Sequence, residues 1–343
     1  MEFPKTASLT LTNACNMRCR MCGQWNEKGY IKNGRKIVNM PLNVWIKAVD
    51  ELASHGIKTL VLRGGETFMY PDIIQLLEYI NSKGIFSAID SNGTLLEKYA
   101  RDICAIGNIH ITVSVDGTEK IHDYTRGLDG SFQQIKRGFA AVKESAVEGK
   151  SVSLSINFTI SPHSYRSLGS IPDVARELGV NSLSIVPYYY VPPVYGRLYE
   201  DEMKSLGCPA YSWKGFESET SGVDTEVLLK ELSAFRSSLG DIFSYPYLPL
   251  SDDEYVKWFG EYDSTVKTAE CPNSENHIDI QPDGSINFCV DFPDYTAGNI
   301  NDSTISEIYN SEKSRLFRKI RKEKEFGVCR RCGAKYMGLQ RGD

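Results

Sequence analysis

Short apolar segments alternate with amphipathic segments along the first half of the chain. From Thr6 to about Pro187 this alternation recurs at intervals of roughly 25 to 30 residues, the spacing of consecutive strand–helix units. Helical periodicity is clear between the first two strands, where apolar side chains fall on one stripe: Val44, Trp45, Ala48, Val49 and Leu52. Six segments are predicted to be strands: Ser8–Thr12, Lys58–Leu62, Ile85–Asp90, Ile109–Val115, Val152–Ile160 and Ser182–Val186.

The order of these units predicts the architecture of the first domain. Right-handed crossovers make strands in successive strand–helix units parallel, and the parallel sheet then curls. Eight such units close a barrel and typically need ~250 residues, but the alternation here ends after six. We therefore predict an α/β fold in which residues 1–190 form a partial (β/α)6 barrel of TIM type.

The sequence changes character after Pro187. A Tyr- and Pro-rich run cannot continue a barrel unit, so residues 191–268 are predicted to be a bridge that selects the substrate, with helices at Thr225–Ser237 and Asp252–Tyr262. Residues 269–343 are predicted to be a small α+β domain. Its β-hairpin turns at Asp283-Gly284, and a charged helix follows from about Ser303 to Lys322.

Composition narrows the functional classes. The 343 residues carry a net charge of −5 and no long Lys/Arg block, which argues against a nucleic-acid partner. No apolar run approaches the ~20 residues that span a bilayer, and the N-terminus lacks a signal-peptide pattern, so we expect a cytoplasmic protein without a membrane partner. Nine clustered cysteines in a reducing compartment indicate metal ligands rather than disulfides.

Three of these cysteines follow the first predicted strand in a CxxxCxxC pattern: Cys15, Cys19 and Cys22. Three thiolates can bind three irons of a [4Fe-4S] cubane and leave the fourth iron open to a small chelating molecule. A zinc loop is the alternative, but zinc needs a fourth ligand close by and the next candidate, His55, is distant in sequence. Three unrelated thiols are the other alternative.

The CxxxCxxC pattern resembles the signature of the radical S-adenosylmethionine (radical SAM) superfamily. The resemblance implies that the open iron binds S-adenosylmethionine, which is cleaved reductively to a 5′-deoxyadenosyl radical. Several strand ends support it: Gly64-Gly65-Glu66 resembles the GGE motif that binds the methionyl ammonium, and we expect Asn92, Ser114, Asp116 and Arg126 to contact the cofactor as well. Met21 departs from the pattern, since an aromatic residue is common before the third cysteine.

Four further cysteines lie in the last quarter of the chain: Cys271, Cys289, Cys329 and Cys332. With the Gly-x4-Cys segment from Gly284, they resemble the twitch domain, a shortened SPASM domain. The resemblance implies one fully ligated auxiliary [4Fe-4S] cluster, because four thiolates complete a cubane. A structural zinc site with the same four ligands is the alternative.

These features predict a radical SAM oxidoreductase that abstracts a substrate hydrogen and transfers an electron through the auxiliary cluster. We favour dehydrogenation of a small molecule such as a sugar or aminocyclitol, because only 14 residues precede Cys15 and a peptide-recognition domain often precedes the barrel in peptide-modifying relatives. Asp291 and Asp294 are candidate bases, and flavodoxin or ferredoxin is the expected electron donor. Three alternatives stay open: an epimerase that uses Cys208 as hydrogen donor, a ribosomal-peptide-modifying enzyme, and a non-enzymatic iron–sulfur carrier or scaffold.

Overall fold

Ten strands form one sheet in the computed structural model, which describes residues 3–266 and 271–340. The strands alternate with helices through the first half of the chain, as predicted. In chain order the strands are β1 Thr6–Thr12, β2 Thr59–Gly64, β3 Phe86–Ser91, β4 Ile109–Ser114, β5 Val152–Ile160, β6 Ser182–Pro187, β7 Phe243–Pro246, β8 His277–Ile280, β9 Ser285–Asn287 and β10 Gly298–Asn299.

The helices lie mainly between the parallel strands. Their apolar stripes face the sheet; in the first helix the buried residues are Trp45, Ala48, Val49 and Leu52, as the sequence pattern predicts. The helices are α1 Leu42–Ser54, α2 Ile73–Ser82, α3 Leu96–Ile106, α4 Glu119–Arg126, α5 Ser131–Glu144, α6 Ile171–Leu178, α7 Pro193–Ser205, α8 Thr225–Ser238, α9 Asp252–Gly260, α10 Asn273–Asn276, α11 Ile305–Tyr309 and α12 Glu312–Glu323.

The sheet order is β10-β9-β8-β1-β2-β3-β4-β5-β6-β7. Strands β1 to β7 pair in parallel, as do β1 and β8, whereas β9 pairs antiparallel with both β8 and β10. The sheet is open, with β7 and β10 at its edges. The prediction of an α/β fold with a partial parallel barrel and a small α+β region is confirmed.

Two features of the sheet were not predicted. The segment predicted to be a bridge contributes β7, a seventh parallel strand. It pairs with β6 in a register that begins with Ser182 opposite Phe243. The C-terminal hairpin continues the barrel sheet, because β8 pairs with β1 from Thr6↔His277 onward. Barrel and C-terminal region therefore share one sheet, and the predicted boundary at 268 lies outside the described residues.

The C-terminal region contains the predicted hairpin, but its helix is divided. Instead of one helix from Ser303 to Lys322 the structure has α11 and α12: α11 ends at Tyr309, and Ser311 caps α12 by accepting a hydrogen bond from the Ser314 N–H. Within residues 3–266 and 271–340, none of the helices is long and apolar enough to cross a membrane.

Candidate active site

A cavity of about 330 Å³ lies at the edge of the sheet where the parallel strands end. In parallel barrels the carboxyl ends of the strands meet on one side, so loops that follow different strands can line the same space. The lining residues are Cys15, Met17, Cys19, Met21, Cys22, Gly23, Trp25, Arg63, Gly64, Gly65, Asp90, Ser91, Asn92, Ser114, Arg126, Thr159, Val186, Pro187, Tyr188, Tyr189, Phe216 and Asp291.

The CxxxCxxC cysteines lie in the loop after β1, and all three line this cavity. Burial raises the pKa of Cys15 to about 12 and the pKa of Cys19 to about 11. Buried thiols of this kind ionise when a metal compensates their charge. The Arg126 guanidinium adds positive charge here, because its Nη1 atom lies 4.0 Å from the Cys19 sulfur.

The loop is held against the end of β2 by Gly64 and Gly65. The Gly65 N–H donates to the Thr12 carbonyl oxygen at 2.7 Å. A Cβ atom on Gly65 would lie 2.3 Å from the carbonyl oxygen of Ala14, one residue before the first cysteine, and a Cβ on Gly64 would lie 2.5 Å from that of Thr12. Only glycine allows the two backbones to approach so closely.

Glu66 and Asn92 occupy different places around the cavity. Glu66 is buried, and its carboxylate accepts hydrogen bonds from the N–H groups of Phe68 and Asn92 and from the Ser91 hydroxyl. These hydrogen bonds connect the ends of β2 and β3. Glu66 is not among the described residues that line the cavity. The Asn92 amide does line the cavity, and it donates to the Asn16 side chain at 2.8 Å.

Ser114 and Arg126 line the cavity, whereas Asp116 lies behind it. Asp116 is fully buried, accepts a hydrogen bond from the Thr159 N–H at 2.9 Å, and lies 2.7 Å from the Arg126 Nε atom. The sequence analysis assigned Asp116 and Arg126 to cofactor contacts. The structure pairs them with each other and directs the Arg126 Nη1 atom toward Cys19.

The four C-terminal cysteines come together although 61 positions separate the first from the last in sequence. The charges of Asp291, Cys329, Cys271 and Cys289 add to burial in raising the pKa of Cys332. Among the described residues, no three His, Cys, Asp or Glu side chains converge as ligands of a single metal ion would. Two separate groups of thiols, three in one and four in the other, nearly all of them half-buried, suit the ligand sets of two iron–sulfur clusters.

Two family models match this chain. The radical SAM superfamily model matches residues 9–163, and a model of the SPASM iron–sulfur cluster-binding domain matches residues 271–333. The chain contains a radical SAM domain followed by a SPASM-type iron–sulfur domain. The matched domains imply S-adenosylmethionine and [4Fe-4S] clusters as cofactors. That Cys15, Cys19 and Cys22 and the four C-terminal cysteines hold these clusters stays a prediction.

Several known proteins are similar to this radical SAM chain. AdoMet-dependent heme synthase of Methanosarcina barkeri is 25% identical over 96% of this chain and 88% of its own length. Fe-coproporphyrin III synthase of the same organism is 27% identical over 49% of this chain, and the match covers only 40% of that protein's own length. The subtilosin biosynthesis protein AlbA of Bacillus subtilis is 22% identical over 90% of this chain and 61% of its own length.

Solved structures share the fold. Streptococcus suis SuiB bound to S-adenosylmethionine superposes with a TM-score of 0.64 at 15% identity, over 100% of this chain and 75% of SuiB. The protein anSMEcpe with bound AdoMet gives 0.63 at 18% identity, over 97% of this chain and 94% of its own. These structures confirm the partial barrel followed by a C-terminal SPASM-type region.

Asp291 connects the radical SAM cavity with the C-terminal cysteines. It lines the cavity together with Gly65 and also acts electrostatically on Cys332. Burial raises the pKa of Asp291, and the charge of Arg63 and a hydrogen bond from Tyr189 oppose that rise. Sequence reasoning missed Arg63 as a site residue, although its position at a strand end directly before Gly64 was a usable signal.

Asp294 and Cys208 lie away from the cavity. Asp294 is buried and accepts hydrogen bonds from the Tyr199 hydroxyl and the Tyr211 N–H, both at 2.9 Å, and from the Ser212 hydroxyl. Cys208 follows α7, and its thiol lies 3.7 Å from the Leu206 carbonyl oxygen. Neither residue is among the described residues that line the cavity, so their assignments as base and hydrogen donor gain no support.

Proposed function

We propose that the protein is a radical SAM oxidoreductase that oxidises a C–H-bearing substrate, with Asp291 as the base and the auxiliary cluster as the electron acceptor. The observation that supports this most is the position of Asp291. Its carboxylate lines the cavity of Cys15, Cys19 and Cys22, and it also acts on the thiol of Cys332. One carboxylate therefore lies close to both predicted cluster sites.

The bound cofactors supply the electron that cleaves S-adenosylmethionine, the radical that removes a hydrogen atom, and the acceptor for one substrate electron. The chain supplies the path for the proton. Asp291 takes a proton from the O–H or N–H group next to the carbon that lost its hydrogen, while the electron leaves toward Cys332. The substrate thus loses two hydrogens and two electrons in total, and a double bond forms to the oxidised carbon.

The surroundings of Asp291 fit this role. Arg63 provides a positive charge that favours the carboxylate form, and the Tyr189 hydroxyl donates to it. Arg63 itself is held between carboxylates, because Asp279, Asp90 and Asp291 all raise the pKa of its guanidinium. A carboxylate held in place on rigid strand ends is available to accept a proton from a bound substrate.

The shape of the site favours an extended substrate. A second cavity of about 200 Å³ shares Cys22, Arg63, Phe216 and Asp291 with the first. A third cavity of about 250 Å³ shares Gln24, Tyr30 and Gln281 with the second and continues to Arg35 and Tyr211. The three together leave room for the part of a substrate that does not react.

A peptide segment fits such a row of cavities better than a single sugar ring. SuiB has been solved bound to the precursor peptide SuiA, and anSMEcpe with bound AdoMet and the Cp18Cys peptide. None of the relatives described above is named for a sugar or aminocyclitol. We therefore place a peptide substrate ahead of the small-molecule class that the sequence favoured, with the oxidation chemistry unchanged.

The test uses the reconstituted protein under anaerobic conditions with dithionite and S-adenosylmethionine. Candidate peptides encoded by neighbouring genes and a panel of sugars and aminocyclitols are assayed in deuterated water. Oxidation predicts a product two hydrogens lighter than the substrate. The Asp291→Asn variant should release 5′-deoxyadenosine but form at least about a hundredfold less product, since a general base contributes roughly 10²–10⁴ in rate. Asp294→Asn serves as the matched control.

Two results would contradict the proposal. A product of unchanged mass that carries one solvent deuterium, lost in the Cys208→Ala variant, would identify an epimerase. No 5′-deoxyadenosine under any condition, from protein that holds both clusters, would favour the carrier or scaffold.

A further inference from the structure

The positive charge of the chain is concentrated in its C-terminal region. Residues 312–335 contain ten Lys and Arg and three Glu, a net charge of +7. The remaining residues contain 29 Lys and Arg and 41 Asp and Glu, a net charge of −12. An acidic molecule that approaches this protein is therefore repelled by most of the surface and attracted to one region.

The exposed surface of this region includes the outer face of α12, which we define as Arg315, Leu316, Lys319 and Lys322. Two acids of the same helix, Glu312 and Glu323, are exposed as well. The three cations stand at positions i, i+4 and i+7 of the helix, so they form one stripe. Lys322 pairs with Glu275 at 2.5 Å. Within the part of the chain that the structure describes, no acid lies within ion-pair distance of Arg315 or Lys319.

An exposed apolar side chain adjoins this stripe. Leu316 is 45% exposed, although the rest of the apolar surface of α12 packs inward through Phe317. A small apolar contact bordered by exposed cations is typical of surfaces that bind an acidic partner briefly: the charges bring the two proteins together and the apolar contact aligns them.

The inner face of the same helix lies against the auxiliary cluster site. The Phe317 ring packs against Phe288, the neighbour of Cys289, with ring centroids 5.4 Å apart, and against Phe326, whose carbonyl oxygen accepts the Cys329 N–H at 2.9 Å. The Arg321 guanidinium lies 4.9 Å from the centre of the same Phe326 ring. Arg321 and Phe317 thus lie on the side of α12 that meets the cluster ligands. The outer face is separated from those ligands by one helix, roughly 10 Å thick.

We propose that the outer face of α12 is the docking surface for a small acidic electron-carrier protein of the flavodoxin or ferredoxin class. The carrier takes one electron from the reduced auxiliary cluster; the cluster is oxidised, the carrier is reduced, and no covalent bond changes. This inference rests on the proposed role of that cluster as electron acceptor. Docking here returns the cluster to the oxidised state that the next turnover needs.

Other acidic macromolecules are less suited to this surface. A nucleic acid or an anionic membrane would be bound by any basic patch, and neither would gain from a patch placed directly over redox ligands. An electron carrier does gain, because the rate of transfer depends on how closely it approaches the cluster. The position of the stripe outside Arg321 therefore favours the carrier.

The experiment compares two double charge reversals of equal size in the reconstituted full-length protein. Arg315→Glu/Lys319→Glu changes the outer face of α12, and Arg101→Glu/Lys143→Glu changes exposed positions on α3 and α5. Binding of oxidised flavodoxin is measured by titration calorimetry at several salt concentrations. Electron transfer from dithionite-reduced, desalted protein to oxidised flavodoxin is measured by stopped-flow absorbance.

We expect the α12 variant to bind flavodoxin at least tenfold more weakly at low salt, to transfer electrons more slowly, and to lose most of the salt dependence. The α3/α5 control should stay within about twofold of the wild type. Equal effects of the two double reversals, or no salt-dependent binding in the wild type, would overturn the proposal.

Two further results keep this inference separate from the proposed oxidation. If the α12 variant loses affinity for single-stranded RNA or for phosphatidylglycerol vesicles while its electron transfer is unchanged, the surface binds that ligand and the proposal is wrong. Because neither measurement includes substrate, a failed oxidation assay leaves the docking result intact. A failed docking assay likewise leaves the role of Asp291 intact.

Discussion

The Nε atom of Arg126 lies 2.7 Å from the Oδ2 atom of Asp116, and both side chains are buried. The pair joins the end of β4 to the cysteine loop, because Arg126 also reaches the sulfur of Cys19. Two residues that the sequence analysis assigned to cofactor contacts thus also support the loop that binds the first cluster.

Removing one partner of this pair should cost much of the stability. The Arg126→Gln variant leaves Asp116 charged and unpaired in the interior, so we expect a loss of about 3–5 kcal/mol in the free energy of unfolding. The matched control is Arg137→Gln, which breaks the exposed Arg137–Glu97 pair and should cost at most about 1 kcal/mol. Urea denaturation of both variants measures the difference, and equal losses would contradict the assignment.

The two groups of cysteines should bind iron independently. Two cubanes hold about eight irons and eight sulfides per chain, and replacing Cys15, Cys19 and Cys22 by Ala should leave about four of each. Replacing Cys104 and Cys208 by Ala is the control and should leave the content unchanged. Iron and zinc analysis of the reconstituted proteins measures this, and zinc at the C-terminal site would contradict the two-cluster assignment.

The glycine pair after β2 offers a sharp steric test. In Gly65→Ala the new Cβ would lie 2.3 Å from the Ala14 carbonyl oxygen, so the cysteine loop must move. We expect loss of the first cluster, seen as about four fewer irons per chain. Gly260→Ala is the matched control, because a Cβ there meets no atom within 4 Å. If Gly65→Ala kept its full iron content, the close approach would have no role in cluster binding.

His122 should make stability fall at acidic pH. Burial lowers its pKa to about 3, and its Nδ1 atom accepts the Asp116 N–H at 3.2 Å. His122 binds a proton near pH 6.5 in the unfolded chain and near pH 3 in the folded chain. The contribution of the neutral ring to the free energy of unfolding is therefore complete above pH 6.5 and is lost as the pH falls from 6.5 toward 3. At pH 5 the loss should be about 2 kcal/mol.

The comparison of variants isolates this contribution. His122→Asn removes the titrating group, so the difference in unfolding free energy between pH 7 and pH 5 should shrink by about 2 kcal/mol relative to wild type. An unchanged pH dependence in His122→Asn would show that the ring is not kept neutral by burial.

The features of this protein that follow from short-range patterns could be predicted from the amino-acid sequence. The apolar period predicted all six of the first strands to within about two residues at each end, since side-chain periodicity is local. Cysteine spacing predicted the ligands of both cluster sites for the same reason. Glycines beside the cysteine loop were also identifiable, because the requirement for a close backbone approach falls on consecutive residues.

Contacts between residues that are distant in sequence could be seen only in the tertiary structure. Pairing of β8 with β1 joins residues about 270 positions apart and places Asp291 in the cavity, and no local pattern encodes that pairing. Long-range burial also determined the partners of charged groups: Asp116 is paired with Arg126 and is not among the described residues that line the cavity, because a carboxylate removed from water must be paired where it is buried. Local periodicity specifies elements, whereas sheet order and desolvation specify the site.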